Sequence, residues 1–225
     1  MRRFKGFTLT ELMVALAVIG ILVAVVTPAI MKTRPNKNKM MIKKSFYITE
    51  QIVASLINDE RLYPDMRDAC GEGVVDGATD IYCAYGFDYT ESVEYEGETY
   101  SGDKKFAELF KSRLNVKKEK AGDDLVFTTT DGVQWDLNGV VGAWDKGQAP
   151  GKFNGNTAPS NTGTILIDVD GPNAGVNKRQ KDSDADSFDQ YEIQILSNGK
   201  MRINPEDAKA VEYATINTSI KDTSS

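Results

Sequence analysis

Hydrophobic side chains are spread very unevenly along the chain. Residues 12–31 form a block of 20 positions without a charge. As a helix rising about 1.5 Å per residue, this block covers roughly 30 Å, the hydrocarbon thickness of a bilayer. It exceeds the apolar core of about 7–15 residues found in secretory signal peptides, so the pattern predicts one membrane-spanning helix. Pro28 predicts a kink inside it because proline removes a helix hydrogen bond.

After this block, apolar residues recur at helical spacing in two stretches, and each stretch predicts an amphipathic helix. A helix is predicted from residue 36 to about 62, ending at Tyr63-Pro64. A second helix is predicted over residues 103–118, with Asp103 as its cap and lysines near its end. The apolar stripe of the first of these helices consists of Ile42, Phe46, Val53 and Leu56.

Strand-like runs dominate the second half of the chain. Residues 125–130 and 133–137 surround Asp131-Gly132, which predicts an antiparallel hairpin. Residues 65–102 and 145–163 are rich in glycine and turn formers, which predicts loops, the first with short β-prone stretches around Tyr82 and at residues 93–95. The fold class is therefore α+β, with helices beside an antiparallel sheet. Further strands are predicted at residues 164–169, 188–196 and 200–203.

The charge distribution narrows the classes of function. Residues 1–44 carry nine Lys/Arg against one acidic residue, whereas residues 45–225 carry 18 Lys/Arg and 32 Asp/Glu, a net charge of −14. An acidic domain of this kind is unsuited to nucleic acid, whose readers need a basic surface. The chain has no histidine, which removes the commonest general base and zinc ligand. We therefore predict neither a nucleic-acid reader nor an enzyme.

A short motif precedes the apolar block. Residues 5–11 read K-G-F-T-L-T-E and continue directly into the helix. This stretch resembles the N-terminus of type IV pilins and of the pseudopilins of type II secretion. The resemblance implies that a prepilin peptidase cuts between Gly6 and Phe7 and methylates the new Phe7 amine. Thr10 departs from the family pattern, in which an aliphatic residue is more usual at this position.

Glu11 is the unusual residue of the motif, because it lies at the edge of the apolar block. A carboxylate at the centre of a bilayer costs roughly 2.5–3.5 kcal/mol, and less near the edge. If the Phe7 amine of a neighbouring copy pairs with Glu11, the cost of burying each charge is offset. This pairing would set the axial register of a filament. The alternative is a single-pass anchor in which this glutamate has no partner.

The resemblance also implies an organisation for the whole chain. Its parts are a leader at residues 1–6, a transmembrane and filament-core helix at 7–31, an amphipathic continuation at 32–62, and an extracytoplasmic head at 63–225. The precursor would span the inner membrane with its N-terminus in the cytoplasm and then enter a periplasmic or cell-surface filament. The implied partners are membrane lipid, the prepilin peptidase, the inner-membrane assembly platform, other pilins and copies of this chain.

Two observations about the predicted head suggest covalent or metal stabilisation. Cys70 and Cys83 are the only cysteines, and in an extracytoplasmic domain they predict a disulfide that contributes roughly 3 kcal/mol; two unpaired thiols are the alternative. Between the strands at 164–169 and 188–196, a loop gathers six oxygen-bearing side chains, the hard ligands that Ca²⁺ takes. They are Asp168, Asp170, Asn173, Asp182, Asp184 and Asp186.

This acidic loop departs from an EF-hand, since Ser187 stands where glycine is needed and Ile193 where glutamate is needed. It is similar instead to the loop Asp-x-Asn/Asp-Gly…Pro-Asn…Asp-x-Phe of pilin-like proteins and to the calcium loop of major pseudopilins. The alternative is a solvated loop whose charge is balanced by Lys178, Arg179 and Lys181, each exposed pair contributing about 0–1 kcal/mol.

The sequence thus predicts a structural subunit of a type IV pilus-like filament, in which one long kinked helix packs on a sheet-containing head. A type II secretion pseudopilin is the nearest alternative. A membrane-anchored, calcium-dependent binding module that never polymerises is the alternative from another class.

Overall fold

The computed structural model describes residues 9–10, 12–20, 37–65, 86–146, 148–179 and 188–215. The chain divides into two compact units, Met1–Asn36 and Lys37–Ser225. In the first unit, residues 9–10 and 12–20 are helical, and residues 12–20 are here named helix α1. Its apolar side chains are exposed, Leu12 and Leu16 among them. Within the described ranges, no helix combines the length and the apolar character needed to cross a membrane.

Helix α2, Lys37–Ile57, opens the second unit. It presents one buried face, which confirms the predicted apolar stripe except that Phe46 is only partly buried. The helix ends at Ile57, earlier than predicted, and the chain continues through turns in which Leu62 and Tyr63 are buried. The buried face consists of Ile42, Ser45, Thr49, Ile52, Val53 and Leu56.

The sheet is an antiparallel meander of six strands whose spatial order is their order in the chain. The predicted hairpin at Asp131-Gly132 is confirmed, as are the later strands. A separate two-stranded hairpin, β1 (Val93–Tyr95) and β2 (Glu98–Tyr100), lies within the region predicted as loop, and β1 coincides with its β-prone residues 93–95. The six strands are β3 (Val116–Lys120), β4 (Asp123–Thr129), β5 (Gln134–Asp136), β6 (Gly163–Asp168), β7 (Gln190–Ile195) and β8 (Met201–Ile203).

Two helical predictions need correction. The helix predicted over residues 103–118 is a 3₁₀ turn, Gly102–Lys104, followed by α3, Lys105–Ser112. Asp103 does not cap it, because the residue before α3 is Lys104 and no side chain caps the start. The lysines expected at the helix end belong to β3, which pairs with β4 instead. A further helix, α4 (Ala208–Thr215), was not predicted.

The core is formed by α2, α3 and the inward side chains of the sheet. Trp135, Phe110 and Phe127 are almost fully buried, and the Phe110 and Trp135 rings lie 5.8 Å apart. Within this core, a polar contact joins α2 to β7: the hydroxyls of Ser45 and Tyr191 lie 2.7 Å apart. Because both groups are buried, this hydrogen bond fixes the position of α2 along the sheet.

Lys105 is an unusual buried cation at the start of α3. Its Nζ donates to the carbonyl oxygens of Leu62, at 2.7 Å, and Tyr89, at 3.1 Å. It also lies over the rings of Tyr63 and Tyr89, 4.5 and 4.4 Å from their centres. Burial lowers the pKa of Lys105 to about 8 from its ordinary 10.5, and the Glu91 carboxylate opposes the change. One ammonium thus connects α3 to both the turn after α2 and the segment before β1.

Substituting Lys105→Met is expected to change how stability depends on pH. Between pH 8 and 10.5 the folded state holds fewer protons at Lys105 than the unfolded state, so this group makes the fold more stable as pH rises. Urea unfolding of the full chain in detergent at pH 7 to 9.5 should show the free energy of unfolding of the wild type rising relative to the variant. A constant difference across this range would contradict the lowered pKa.

Candidate functional site

The acidic loop connects β6 to β7. Asp168 ends β6, and Asp189 immediately precedes β7. The pairing of Asp168 with Gln190 and the hydrogen bond from the Val169 amide to the Asp189 carbonyl, 2.9 Å, bring the two strand ends together. Carboxylate oxygens of Asp168, Asp170 and Asp189 all lie within 4.8 Å of one another. We name these three side chains the aspartate cluster.

The Asp189 carboxylate organises the end of the loop. It is buried and accepts hydrogen bonds from the backbone amides of Val176, Asn177 at 2.8 Å, and Lys178 at 2.9 Å. Gly175 permits this approach: its φ is +64°, and a Cβ there would lie 2.0 Å from an Asp189 oxygen. A side chain at residue 175 would therefore collide with the cluster.

The Asp168 carboxylate holds the start of the loop in the same way. Its Oδ1 accepts from the backbone amide of Gly171 at 2.9 Å, and its Oδ2 accepts from the side-chain Nε2 of Gln190 at 3.0 Å. Asp168 is only 3% exposed. Asp168 and Asp189 are therefore fixed by local hydrogen bonds before any ligand binds.

Asp170 is the least satisfied member of the aspartate cluster. Its Oδ1 is buried and has no hydrogen-bond partner. Burial raises the pKa of the Asp170 carboxyl above its ordinary value. Repulsion from Asp189 and the neighbouring Asp168 raise it further. None of the ion pairs among the described residues includes a member of the cluster. Three carboxylates with a buried unpaired oxygen form a site that can hold a metal ion.

Arg179 is one of the three cations named in the alternative interpretation of a solvated, charge-balanced loop, and it has two acidic partners beyond the loop. Arg179 is 8% exposed, and its guanidinium pairs with Glu192 at 2.7 Å and with Asp207 at 2.8 Å. Asp207 is fully buried and also accepts from the Glu192 amide at 2.9 Å. Burial raises the pKa of Asp207, and Arg179 opposes the change. Arg179 therefore ties the end of the loop to β7 and to the start of α4.

The structure brings together part of the predicted ligand set. Asp168 and Asp170 belong to the aspartate cluster, and Asn173 is exposed on the same loop. Asp189 was missed by the sequence interpretation. It could have been found from its place beside a strand that must pair with the strand ending at Asp168. Three other predicted ligands, Asp182, Asp184 and Asp186, lie outside the described residues.

The remaining predicted site residues also lie outside the described residues. They are the cleavage and methylation residues Gly6 and Phe7, the register residue Glu11, the kink residue Pro28, and the cysteines Cys70 and Cys83.

Comparison with known proteins bears on the N-terminus alone. Residues 1–27 match the family model described as the prokaryotic N-terminal methylation motif, which is the signature of type IV pilins and pseudopilins. No curated protein and no solved structure matches the chain. The resemblance seen at residues 5–11 is thus confirmed. The motif supports a pilin-like or pseudopilin precursor, a class of structural subunits that begin as membrane-anchored precursors and self-assemble after processing by a prepilin peptidase.

Proposed function

We propose that this chain is a structural subunit of a type IV pilus-like filament. The methylation motif at residues 1–27 carries the proposal, because it joins a peptidase site to an apolar block that follows directly after Glu11. Prepilin peptidase removes residues 1–6, and the helix at 7–31 leaves the inner membrane to enter the filament core. Residues 32–62, which include helix α2, follow that segment, and residues 63–225 form the extracytoplasmic head.

Electrostatics supplies the register of the proposed filament. Cleavage after Gly6 frees the Phe7 amine, and methylation preserves its positive charge. In an apolar core an unpaired amine and an unpaired carboxylate are each costly. Glu11 of one copy beside the Phe7 amine of its neighbour lowers both costs and fixes the axial offset between the two helices.

The alternatives differ in what the head does. We favour a pilus over a type II secretion pseudopilus because the head is long and has extended loops, with no strand among the described residues between 141 and 162. The aspartate cluster favours a second candidate, a membrane-anchored, calcium-dependent binding module that does not polymerise. An enzyme is disfavoured, since the chain has no histidine to serve as a general base.

Calcium is the metal we propose for the aspartate cluster. Ca²⁺ takes six to eight oxygen ligands, and the ends of the loop offer three carboxylates in place. The exposed Asn173 amide and the carboxylates of Asp182, Asp184 and Asp186 would supply further oxygens. Bound calcium would neutralise the mutual repulsion within the cluster.

Calcium is therefore expected to raise the melting temperature of the full-length chain in detergent. At a free concentration near 100 times its Kd, a ligand that binds only the folded state stabilises it by about 2.7 kcal/mol. Melting should be followed with excess Ca²⁺ and with a chelator, using Asp170→Asn as the comparison variant. Equal melting temperatures of the wild type under the two conditions would count against calcium.

The filament proposal is tested by electron microscopy of cells with and without the chain. We expect surface or periplasmic filaments only when the chain is present, and sheared filaments should contain it. Chains that remain dispersed in the inner membrane, with no filament in either strain, would support the non-polymerising module instead.

A further inference from the structure

A groove of about 450 Å³ lies between α2, helix α4 and the terminal strand β8. Its lining is apolar except for Arg202 and Thr215. Removing such a surface from water is favourable, so the groove favours an apolar occupant. The apolar lining includes Phe46 of α2, Met201 and Ile203 of β8, and Val211 and Ala214 of α4.

Arg202 is the charged residue of this lining, and its own chain already binds it. Its Nε donates to Oε1 of Gln194 at 2.8 Å, and its Nη1 donates to the carbonyl oxygen of Gly155 at 2.6 Å. Its guanidinium also lies 4.2 Å from the centre of the Phe153 ring. A small polar ligand requires polar groups that fix its orientation, and this guanidinium is already engaged. The groove therefore suits apolar side chains of a protein partner.

The outward face of α2 carries two large apolar side chains. Met40 and Tyr47 are each 57% exposed, whereas Ile42 and Leu56 on the buried face are fully covered. Met40 and Tyr47 are separated by about two helical turns, so they lie on one face. Among the described residues of the second unit, Val176 is the other large apolar side chain that is exposed. We name Met40 and Tyr47 the apolar ridge.

The groove and the apolar ridge lie at the same level along α2. The Nζ of Lys39 is 5.2 Å from the centre of the Tyr213 ring, so α4 runs beside the end of α2 that carries the ridge. Phe46 lies in the groove wall, and Tyr47 follows it about 100° further around the helix. The two surfaces therefore face different directions. One copy can receive a neighbour's ridge in its groove while presenting its own ridge to another copy.

The position of the apolar ridge in the chain favours a second copy as the occupant of the groove. The proposed filament-core helix ends at residue 31, and Met40 follows nine residues later. Even a fully extended chain of this length spans at most about 32 Å. Packed core helices would therefore hold the ridges and grooves of neighbouring copies close together. Such tethering raises their effective concentration, so a small contact is sufficient.

We infer that the apolar ridge of one copy, Met40 and Tyr47, docks in the groove between α2, α4 and β8 of a second copy. This contact buries the exposed apolar side chains of both partners. It is heterologous, because two different surfaces meet, and such contacts propagate into open filaments when the rotation between copies does not close a ring. The inference rests on the proposed filament function and assigns that filament a contact outside the core formed by residues 7–31.

Photo-crosslinking in filaments tests this contact directly. The photoreactive residue benzoylphenylalanine replaces Tyr47 in the full chain, and cells that grow first in ¹⁴N and then in ¹⁵N medium supply both labels to one filament. Illumination should join the peptide that contains position 47 to peptides of residues 201–215, and part of these crosslinks should combine the two labels. Ala121 is the control position, because it is exposed in the turn between β3 and β4, at the other edge of the sheet from β8. Benzoylphenylalanine there should give no crosslink to residues 201–215.

Substitutions on the two surfaces test whether the contact supports assembly. M40S with Y47S removes the ridge, and A208E places a charge at an exposed position of the groove. Each change should reduce filament yield by about tenfold, because an interface weakens when an apolar anchor is truncated or an unpaired charge is buried. V176S and A121E make the matching changes elsewhere and should leave the yield unchanged. Because all these positions are exposed, each full-length variant in detergent should melt like the wild type.

The possible outcomes separate this inference from the filament proposal. Crosslinks from position 47 that reach only other regions, stay within one label or join a different protein would overturn the inference while leaving the filament proposal intact. Normal filament yield from either the ridge variant or the groove variant would have the same consequence. Complete absence of filaments from the unsubstituted chain would overturn both.

Discussion

Substituting Glu11→Ala is expected to reduce filament yield by more than about a hundredfold, because breaking a buried charge pair by removing one partner costs about 3–5 kcal/mol. The Phe7 amine of the neighbouring copy would remain in the apolar core without a counter-charge. The leader should still be cleaved after Gly6, and the head should remain folded, since Glu11 belongs to the other compact unit. Immunoblots of sheared filaments and of membranes measure assembly and processing separately.

Thr10→Val is the matched control for this experiment. It changes the neighbouring residue to the aliphatic type usual in the family and alters no charge. This variant should assemble like the wild type. If Glu11→Ala gave normal filament yield, the proposed pairing between Glu11 and the Phe7 amine would be wrong, although the cleavage site would be unaffected.

Substituting Arg179→Met is expected to destabilise the folded state by about 3–5 kcal/mol, because Asp207 is left as a buried charge without its partner. Glu192 loses the same guanidinium. The measurement is urea unfolding of the full chain in detergent, followed by circular dichroism. We expect the midpoint to fall strongly at neutral pH.

Lys178→Met provides the adjacent control. Lys178 is exposed, and substitutions at such positions usually change stability by no more than about 0.5 kcal/mol. Adding Asp207→Asn to Arg179→Met should recover part of the loss, because it removes the unpaired charge. Equal unfolding midpoints for Arg179→Met and Lys178→Met would show that the buried pair does not hold the loop to α4.

Elements with strong local signals could be predicted from the sequence. The apolar stripe of α2 gave its position, and Asp131-Gly132 gave the β4–β5 hairpin, because helix periodicity and turn chemistry are local properties. Strand β3 was mistaken for the end of a helix. Its sequence, V-K-K-E-K, suits a helix end, and only pairing with β4 makes it a strand. Helix α4 was missed because the polar segment from Asn204 onward, which contains it, carries only a weak local signal.

The candidate site could be predicted only in part for a related reason. Asp168 and Asp170 stand together in the sequence, and their acidic character identified the loop. Asp189 joins them only through the pairing of β6 with β7, 21 residues further along the chain. Arg179 was named only in the alternative interpretation, as a counter-charge of the loop, and its pairing with the buried Asp207, 28 residues away, was not predicted. Both outcomes depend on tertiary contacts that no local pattern encodes.

The most direct test of the filament account is the mass of the mature N-terminus in sheared filaments. The account predicts that the first peptide begins at Phe7 and carries one added methyl group on its amine. A first peptide from sheared filaments that still contains residues 1–6 would contradict the account. A chain that keeps its leader has no free Phe7 amine to pair with the Glu11 of its neighbour.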